Sequence, residues 1–530
     1  MLDEMRMYAR FALGLRGFLR QRIGLGEAHE RLRRRLADRE DGFLRIVERA
    51  VFENPESPYR PLFQLAGCTL ADLRREVKAR GLEPALERLQ EAGVYVGHEE
   101  FKGGTPLVRQ GREIPLGPHA FRNPYLPGHY HGETGGSTGV GRRVTTDLAR
   151  IAANAGQGLV RDEALGLLGR PKALWRPPLP DASGVNMVLN AALTGNVPRR
   201  WFTPVSLSDL KPPLRFRVAQ RSIETLSRLY GVPFPRPEPV PIEAALRVAR
   251  WAAEAARAED GSYLSTTASL AVRVSAAACA AGLDLNGVTL AAGSEPLTAA
   301  KAREIERSGA RAVSPYYLSE AGAVGFPCAR PSEPGDVHLL RERIALVRRP
   351  REVAGVGRVE ALLLTGLLPS ESMILINVET DDCAVVEARR CGCRLEELGY
   401  DLHLKRIRSY RKLTGEGVTL LGGDLLRVLE EVLPARFGGN STDYQLVERE
   451  DEGGLTRVDL LVSPRVPLAD EGAVRTALLD AVASTGDGGE LARAMWERAG
   501  TLRVRREEPV FSARGKLLPL QHGGPARRAS

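Results

Sequence analysis

Cysteine, lysine, aromatic residues and long apolar runs are all scarce in this chain, and each scarcity removes a class of answer. Six cysteines in 530 residues are too few for a disulfide-built scaffold and suit a reducing compartment, where clustered thiols more often bind metal. The longest apolar stretch, Leu264 to Leu283, is interrupted by Arg273 and rich in Ala, Ser and Thr, which predicts a buried helix and no membrane span. The opening Met1-Leu2-Asp3-Glu4-Met5-Arg6 carries acids where an export signal carries a basic region, and no small-residue cleavage site follows, so a cytoplasmic protein is expected. Of 75 basic residues only eight are lysine, so each lysine stands out against a background of arginine.

What is present is ordinary for a folded protein. With 43% hydrophobic and 27% charged residues the chain sits near the globular average, and its length exceeds what one core supports, predicting a large domain and a smaller one. The net charge of +9 comes from arginines interleaved with acids, as in Arg33-Arg34-Arg35-Leu36-Ala37-Asp38. That pattern describes solvated helix faces and predicts no nucleic-acid partner.

Residues 1 to about 92 place apolar positions at three- and four-residue spacing, predicting amphipathic helices with a break near Asn54-Pro55-Glu56-Ser57-Pro58. A Gly-, Pro- and His-rich passage from Gly117 to Gly141 precedes a helical pattern over Thr146 to Leu168. The middle alternates helices such as Ile242 to Arg257 with β-type runs, Val288 to Ala291 and Ala312 to Ser314, which predicts α/β layers. Two proline-rich stretches, Arg176 to Pro180 and Val232 to Pro241, are expected to be surface connections. The reading restarts after Arg408: a helix over Asp424 to Leu433, strands over Tyr444 to Glu448 and Thr456 to Ser463, helices over Glu471 to Ser484 and Glu490 to Ala499, and a strand at Leu502 to Arg505. The predicted fold class is therefore α/β, with residues 1–408 as a large multi-layer N-terminal domain (1–130 a helical lead-in), 409–522 a small α+β C-terminal domain, and 523–530 a disordered tail.

The run Gly132-Glu133-Thr134-Gly135-Gly136-Ser137-Thr138-Gly139-Val140-Gly141-Arg142-Arg143 lets backbone N–H groups converge on an anion, with hydroxyls as further donors and cations just beyond. A triphosphate fits such a loop; so does no ligand at all, since flexible Gly/Ser/Thr runs are common.

Taken with four later segments, this run resembles the phosphate loop of the adenylate-forming (AMP-binding) enzymes, in particular their phenylacetate–CoA ligase-like branch. Thr134, Gly135, Gly136, Ser137, Thr138 and Gly139 match the family's Thr/Ser-Ser-Gly-Thr/Ser-Thr-Gly with one change, at Gly135, and Val140-Gly141 followed by Arg142 stands where the family has Lys-Pro. Gly293-Ser294-Glu295-Pro296-Leu297 is similar to its Gly-Glu-Pro-Leu segment, and Tyr316-Tyr317-Leu318-Ser319-Glu320 to its Tyr-Gly-x-Thr-Glu segment. The resemblance implies that these residues flank the adenine, that Glu320 ligates Mg²⁺, and that Tyr317, in place of glycine, reshapes the acyl pocket. Ile374 to Asp382 resembles an apolar strand ending in the acid that holds the ribose, which implies that role for Asp382. Arg406-Ile407-Arg408 is similar to the hinge, with Arg408 in the nucleotide site, and Gly515-Lys516 to the C-terminal lysine that stabilises charge during adenylation. By itself Lys516 also reads as a solvated residue of a tail, a reading that the rarity of lysine in an arginine-rich chain disfavours.

Cys328, His338 and the turn Cys391-Gly392-Cys393 make a Cys₃His set suited to tetrahedral Zn²⁺, or a group of buried free thiols. The phenylacetate–CoA ligase-like branch carries such residues at these places, which implies a structural zinc. The resemblance as a whole implies ATP- and Mg²⁺-dependent activation of a small carboxylic acid to its acyl-AMP, then transfer to a thiol, CoA or the phosphopantetheine of a carrier protein, or to an amine. A nucleotide-binding homologue without catalysis is the alternative of another class, because several motifs depart from the family text.

Overall fold

The amphipathic periodicity of the first hundred residues resolves into α1 (Leu2–Leu19), α2 (Leu25–Ala37), α3 (Arg39–Val47), α4 (Tyr59–Leu65), α5 (Leu70–Arg80), α6 (Leu82–Glu91) and α7 (His98–Lys102). The computed structural model describes residues 2–117, 119–126, 130–133, 143–179, 181–204, 214–353, 357–409, 413–415, 418–420, 428–439, 443–484, 487–510 and 520–522. Thr69 starts α5 with a capping box: its hydroxyl accepts from the Asp72 N–H while Asp72 accepts from the Thr69 N–H. The expected break near Asn54 lies between the π-helical turn Glu48–Phe52 and α4.

Strands of the three main sheets are numbered in chain order. The first sheet comprises β1 (Lys172–Trp175), β2 (Arg200–Thr203), β3 (Pro237–Pro239), β4 (Ser262–Thr267), β5 (Val288–Gly293) and β6 (Arg311–Val313), in the order β6-β5-β4-β1-β2-β3 and parallel throughout. Helices α8 (Leu148–Leu165), α9 (Ala182–Leu193), α10 (Leu214–Leu229), α11 (Ala245–Glu259), α12 (Ala268–Ala280) and α13 (Ala299–Glu306) precede or connect these strands. Every residue of β4 and β5 is buried, as expected where helices cover both faces of a parallel sheet. Strand order reverses between β1 and β4, and open parallel sheets bind ligands outside the carboxyl ends of strands at such a point.

Two expectations change here. Leu264 to Leu283 is not one helix: its first residues finish β4, and Thr267 then caps α12 by accepting from the Leu270 N–H. Nor is Arg176 to Pro180 a surface connection, because Arg176 through Leu179 are buried. Val232 to Pro241 lies nearer the surface but contributes the edge strand β3, the position in a sheet where proline is tolerated.

The second sheet is antiparallel: β7 (Tyr316–Leu318), β8 (Gly322–Pro327), β9 (Val337–Leu339), β10 (Ile344–Val353), β11 (Gly357–Gly366), β12 (Val378–Ala388) and β13 (Leu402–Ser409), in the order β7-β8-β9-β13-β12-β11-β10. The apolar run from Ile374 was expected to be the strand leading into Asp382, yet β12 begins only at Val378, so Asp382 lies on the strand. Asn377 breaks the run: it sits at positive φ and its amide nitrogen donates to the carbonyls of Leu86 and Val94.

After α14 (Arg394–Glu397) and β13, a C-terminal unit pairs β14 (Tyr444–Glu450), β15 (Thr456–Val462), β16 (Leu502–Arg505) and β17 (Leu520–His522), with α15 (Leu433–Phe437), α16 (Glu471–Ala483) and α17 (Asp487–Ala499). The predicted helix from Asp424 is described only from Val428, as a π-helical turn running into α15. The α/β class holds, with the sheets serving as separate layers. Helices α3 to α7 pack on the antiparallel sheet, whereas α1 and α2 pack with α8, α9 and α10. The C-terminal unit shares a buried cluster with α11, α12 and the parallel sheet.

Among the described residues no helix is long and apolar enough to cross a membrane. Gly184 on α9 lies against Trp201, and a Cβ there would overlap the indole, whose Nε1 is fixed by donating to the Arg176 carbonyl at 2.9 Å. Gly184→Ala is therefore expected to cost about 1–3 kcal/mol, read as a lower urea midpoint with an unchanged slope.

Candidate functional site

Tyr316, on the short strand β7, donates its hydroxyl to Asp382 Oδ2 on β12 at 2.7 Å. Burial first, and then the Asp382 carboxylate, push this phenol well above its usual pKa, so Tyr316 keeps the proton it donates. Thr380 also hydrogen-bonds Tyr316. Arg408 on β13 pairs in register with Cys383, one position beyond Asp382.

Glu320 follows β7 in a turn and is ion-paired with Lys102 at the end of α7. Both line a cleft with His98, Phe101, Leu375 and Thr380. Because Thr380 belongs to both groups, the Tyr316–Asp382 pair and Glu320 share one neighbourhood. The turn is braced from behind. Arg343 Nη2 donates to the Ala321 carbonyl at 2.9 Å and pairs with Glu371, which also accepts from Arg150 Nε at 3.1 Å. Gly322, at φ +73, leaves room for this; a Cβ would lie 2.8 Å from Arg343 Nη2.

Gly293 ends β5 and Ser294 follows at φ +65. Ser294 and Pro296 are exposed, and Ser319 and Tyr317 are exposed on the neighbouring segment. Glu295 turns inward: its carboxylate accepts from Ser269 Oγ at 2.6 Å and pairs with Lys301 at 3.1 Å. Lys301 in turn donates to Thr456 of the C-terminal unit at 2.9 Å. Of the six described non-glycine residues at positive φ, four (Ser294, Asn377, Asp381 and Arg406) fall in segments singled out from the sequence. Strained backbone of this kind clusters at functional sites. Thr134, Gly135, Gly136, Ser137, Thr138, Gly139, Arg142 and Lys516 lie outside the described residues.

The sheet also assembles the Cys₃His set. Cys328 follows β8, His338 stands on β9, and Cys391 and Cys393 lie in the turn before α14. Their ligand atoms all lie within 4.8 Å of one another, with His338 Nε2 at 3.6 Å from Cys391 Sγ and 3.2 Å from Cys393 Sγ. His338 Nδ1 donates to the Tyr400 carbonyl at 2.6 Å, so the Nε2 lone pair faces the thiols. Cys328 hydrogen-bonds Cys393, which pulls the Cys393 thiol down and pushes Cys328 up. Asp336 and His403 also approach Cys328 but are bonded to each other at 2.6 Å. Asp336 accepts from Arg389 too, which reaches Cys328 Sγ, an outer layer of the kind that orients metal ligands. Cys383, on β12, is not part of the cluster.

Sequence reasoning missed His98, Lys102, Arg343 and Lys301. The rarity of lysine could have singled out Lys102 and Lys301.

No protein family and no curated protein matches this chain by sequence. Solved structures similar to it include 2-hydroxyisobutyryl-CoA ligase in the postadenylation state with an acyl-AMP (13% identity, TM-score 0.44, 91% of this chain and 88% of that one). Another is the anthranilate CoA ligase AuaEII with anthranoyl-AMP (12% identity, TM-score 0.31, 87% and 79%). A third is the McyG adenylation and carrier-protein pair with phenylalanyl-adenylate (10% identity, TM-score 0.34, 84% and 72%).

Proposed function

We propose that this protein is an AMP-forming acid–thiol ligase of the phenylacetate–CoA ligase-like kind. A carboxylate oxygen of the acid attacks the α-phosphorus of ATP, the bond to the β-phosphate oxygen breaks, and pyrophosphate leaves. A thiolate, that of CoA in the first instance, then attacks the acyl carbon of the acyl-AMP and AMP departs with the electron pair. The observation that carries this reading is the 2.7 Å bond between Tyr316 and Asp382, which joins two motif segments 66 residues apart, with Glu320 in the turn that follows Tyr316's strand.

In this reading Asp382 and Tyr316 hold the ribose end of the nucleotide. The backbone from Gly293 to Pro296 borders the adenine, the loop from Thr134 to Arg142 meets the phosphates, and Lys516 stabilises the charge that develops between carboxylate and α-phosphate. Magnesium bound by Glu320 and the phosphates would supply charge neutralisation for the in-line displacement. The Cys₃His set holds a structural zinc.

The test is pyrophosphate release with Mg-ATP across aryl, aliphatic and amino acids, with and without CoA. The expected result is release that depends on the added acid, yields acyl-CoA when CoA is present, and falls about 10²–10³-fold in Lys516→Ala. Acyl-AMP that accumulates despite CoA would transfer the proposal to a carrier protein or an amine. ATP binding with no release for any acid would overturn it in favour of a nucleotide-binding protein.

A further inference from the structure

The reversal in strand order places one residue where a ligand of the parallel sheet belongs. Arg176 immediately follows β1, and its guanidinium reaches across the carboxyl ends of β4 and β5. Nε donates to Ser265 Oγ at 3.3 Å, Nη2 to the Thr266 carbonyl at 2.8 Å, and Nη1 to Ser294 Oγ at 3.1 Å. All three acceptors are neutral. A guanidinium carries five N–H donors, so two stay unspent on these contacts.

Arg176 is only 8% exposed. Burial is the largest influence on its pKa and lowers it; Asp181 and Glu295 counter this by charge alone. Among the described residues no carboxylate is within ion-pair distance of it. Asp181 is occupied in capping α9, and Glu295 in the pair with Lys301. A cation taken out of water without a partner is costly unless an anion completes it.

Arg176 Nη2 packs against Gly293, where a Cβ would stand 3.0 Å from it, and the neighbouring Ser294 is exposed, as is Tyr317. Tyr317 also acts on Arg176 electrostatically and adjoins Tyr316 on β7, so the guanidinium borders the same site. Glu320 and Asp382, assigned above to metal and ribose, both lie on the antiparallel sheet side.

We infer that Arg176 recognises a second anionic group on the acid that this protein activates, making the preferred substrates carboxylic acids with an additional carboxylate or phosphonate. The inference rests on the reading of the site as an acid-activating one. Planar guanidinium binds either group through paired N–H donors.

The experiment compares matched acids: glutarate with its monomethyl ester, phthalate with benzoate, and 3-phosphonopropionate with butyrate. Calorimetric binding and kcat/KM for pyrophosphate release are measured on the natural protein, Arg176→Lys and Arg176→Gln, with thermal melting as a check on folding. The natural protein is expected to favour the dianionic member of at least one pair by about 10- to 100-fold, the worth of hydrogen bonds to a charged group. Arg176→Gln removes that preference while leaving the monoanion's kcat/KM within about threefold, and Arg176→Lys, which keeps the charge, retains part of the preference. The carboxylate and phosphonate pairs show which anion the site takes. Absence of the preference in the natural protein, its survival in Arg176→Gln, or an equal loss for both members of each pair would overturn the inference. Dianion-selective binding lost in Arg176→Gln, with no pyrophosphate from any acid, would instead overturn the proposed activity and keep the anion site.

Discussion

Replacing Cys393 with serine is expected to reduce bound zinc from about one per chain to below about 0.2 and to lower the unfolding midpoint by about 5 °C. Zinc–sulfur bonds of about 2.3 Å and zinc–nitrogen bonds of about 2.0 Å at tetrahedral angles place neighbouring ligand atoms about 3.5–3.8 Å apart. The distances from His338 Nε2 to Cys391 and Cys393, 3.6 and 3.2 Å, are already close to that. Binding would join Cys328, His338, Cys391 and Cys393 through one metal and so tie together β8, β9 and the turn before α14. Elemental analysis of protein purified without chelator checks the first number and calorimetry the second. Cys383→Ser, outside the cluster, is the control and should keep its zinc. A natural protein with less than about 0.2 zinc per chain would leave the four clustered ligand atoms without a metal and sink the assignment.

Arg343→Met is expected to destabilise the protein by about 1–3 kcal/mol, because it removes one of the two buried arginines paired with Glu371 and leaves Arg150 as its remaining cation. Side-chain exposure is 1% for Arg343 and 3% for Glu371, so water cannot take over. Arg343 also donates to Gln157 Oε1 at 3.0 Å, and Gln157 to Glu342 at 2.5 Å. Burial raises the pKa of Glu342, so loss of this network would leave several polar groups unsatisfied together. Denaturant unfolding measures the loss, and a double-mutant cycle with Glu371→Gln should give a coupling of at least about 1 kcal/mol. A loss below about 1 kcal/mol would mean that the neighbourhood relaxes and that the turn carrying Glu320 is held by something else.

The periodic parts of the fold were legible. Helices in the lead-in, β5, β6, β14, β15 and β16 fall where apolar spacing predicts them, since burial of one face dictates that spacing. Segments whose environment is decided by distant chain were not. Arg176 stands in a proline-rich stretch that reads locally as a surface connection; only the order of strands β1 and β4 shows that it sits buried where the parallel sheet reverses. The break at Asn377 depends on carbonyls of Leu86 and Val94, about three hundred residues away, which no local pattern encodes. Tyr316, Glu320 and Asp382 were singled out from short motifs, but the residues that hold them were not: Lys102 and Arg343 act across the fold, and a lone cation in a sequence has many possible partners. Composition held an unused clue. Lys102, Lys172 and Lys301, in a chain that otherwise prefers arginine, are each mostly buried and paired with an acid.

Under the proposed function, Lys102 gives the helical lead-in a consequence for metal binding. Its ammonium already neutralises Glu320, so a divalent ion arriving at that carboxylate must compete with a tethered cation rather than meet a free charge. Apparent magnesium affinity then becomes a gauge of how firmly α7 is docked: whatever loosens the helix withdraws the competitor and sharpens the response to metal, without any change among the residues proposed to touch the nucleotide.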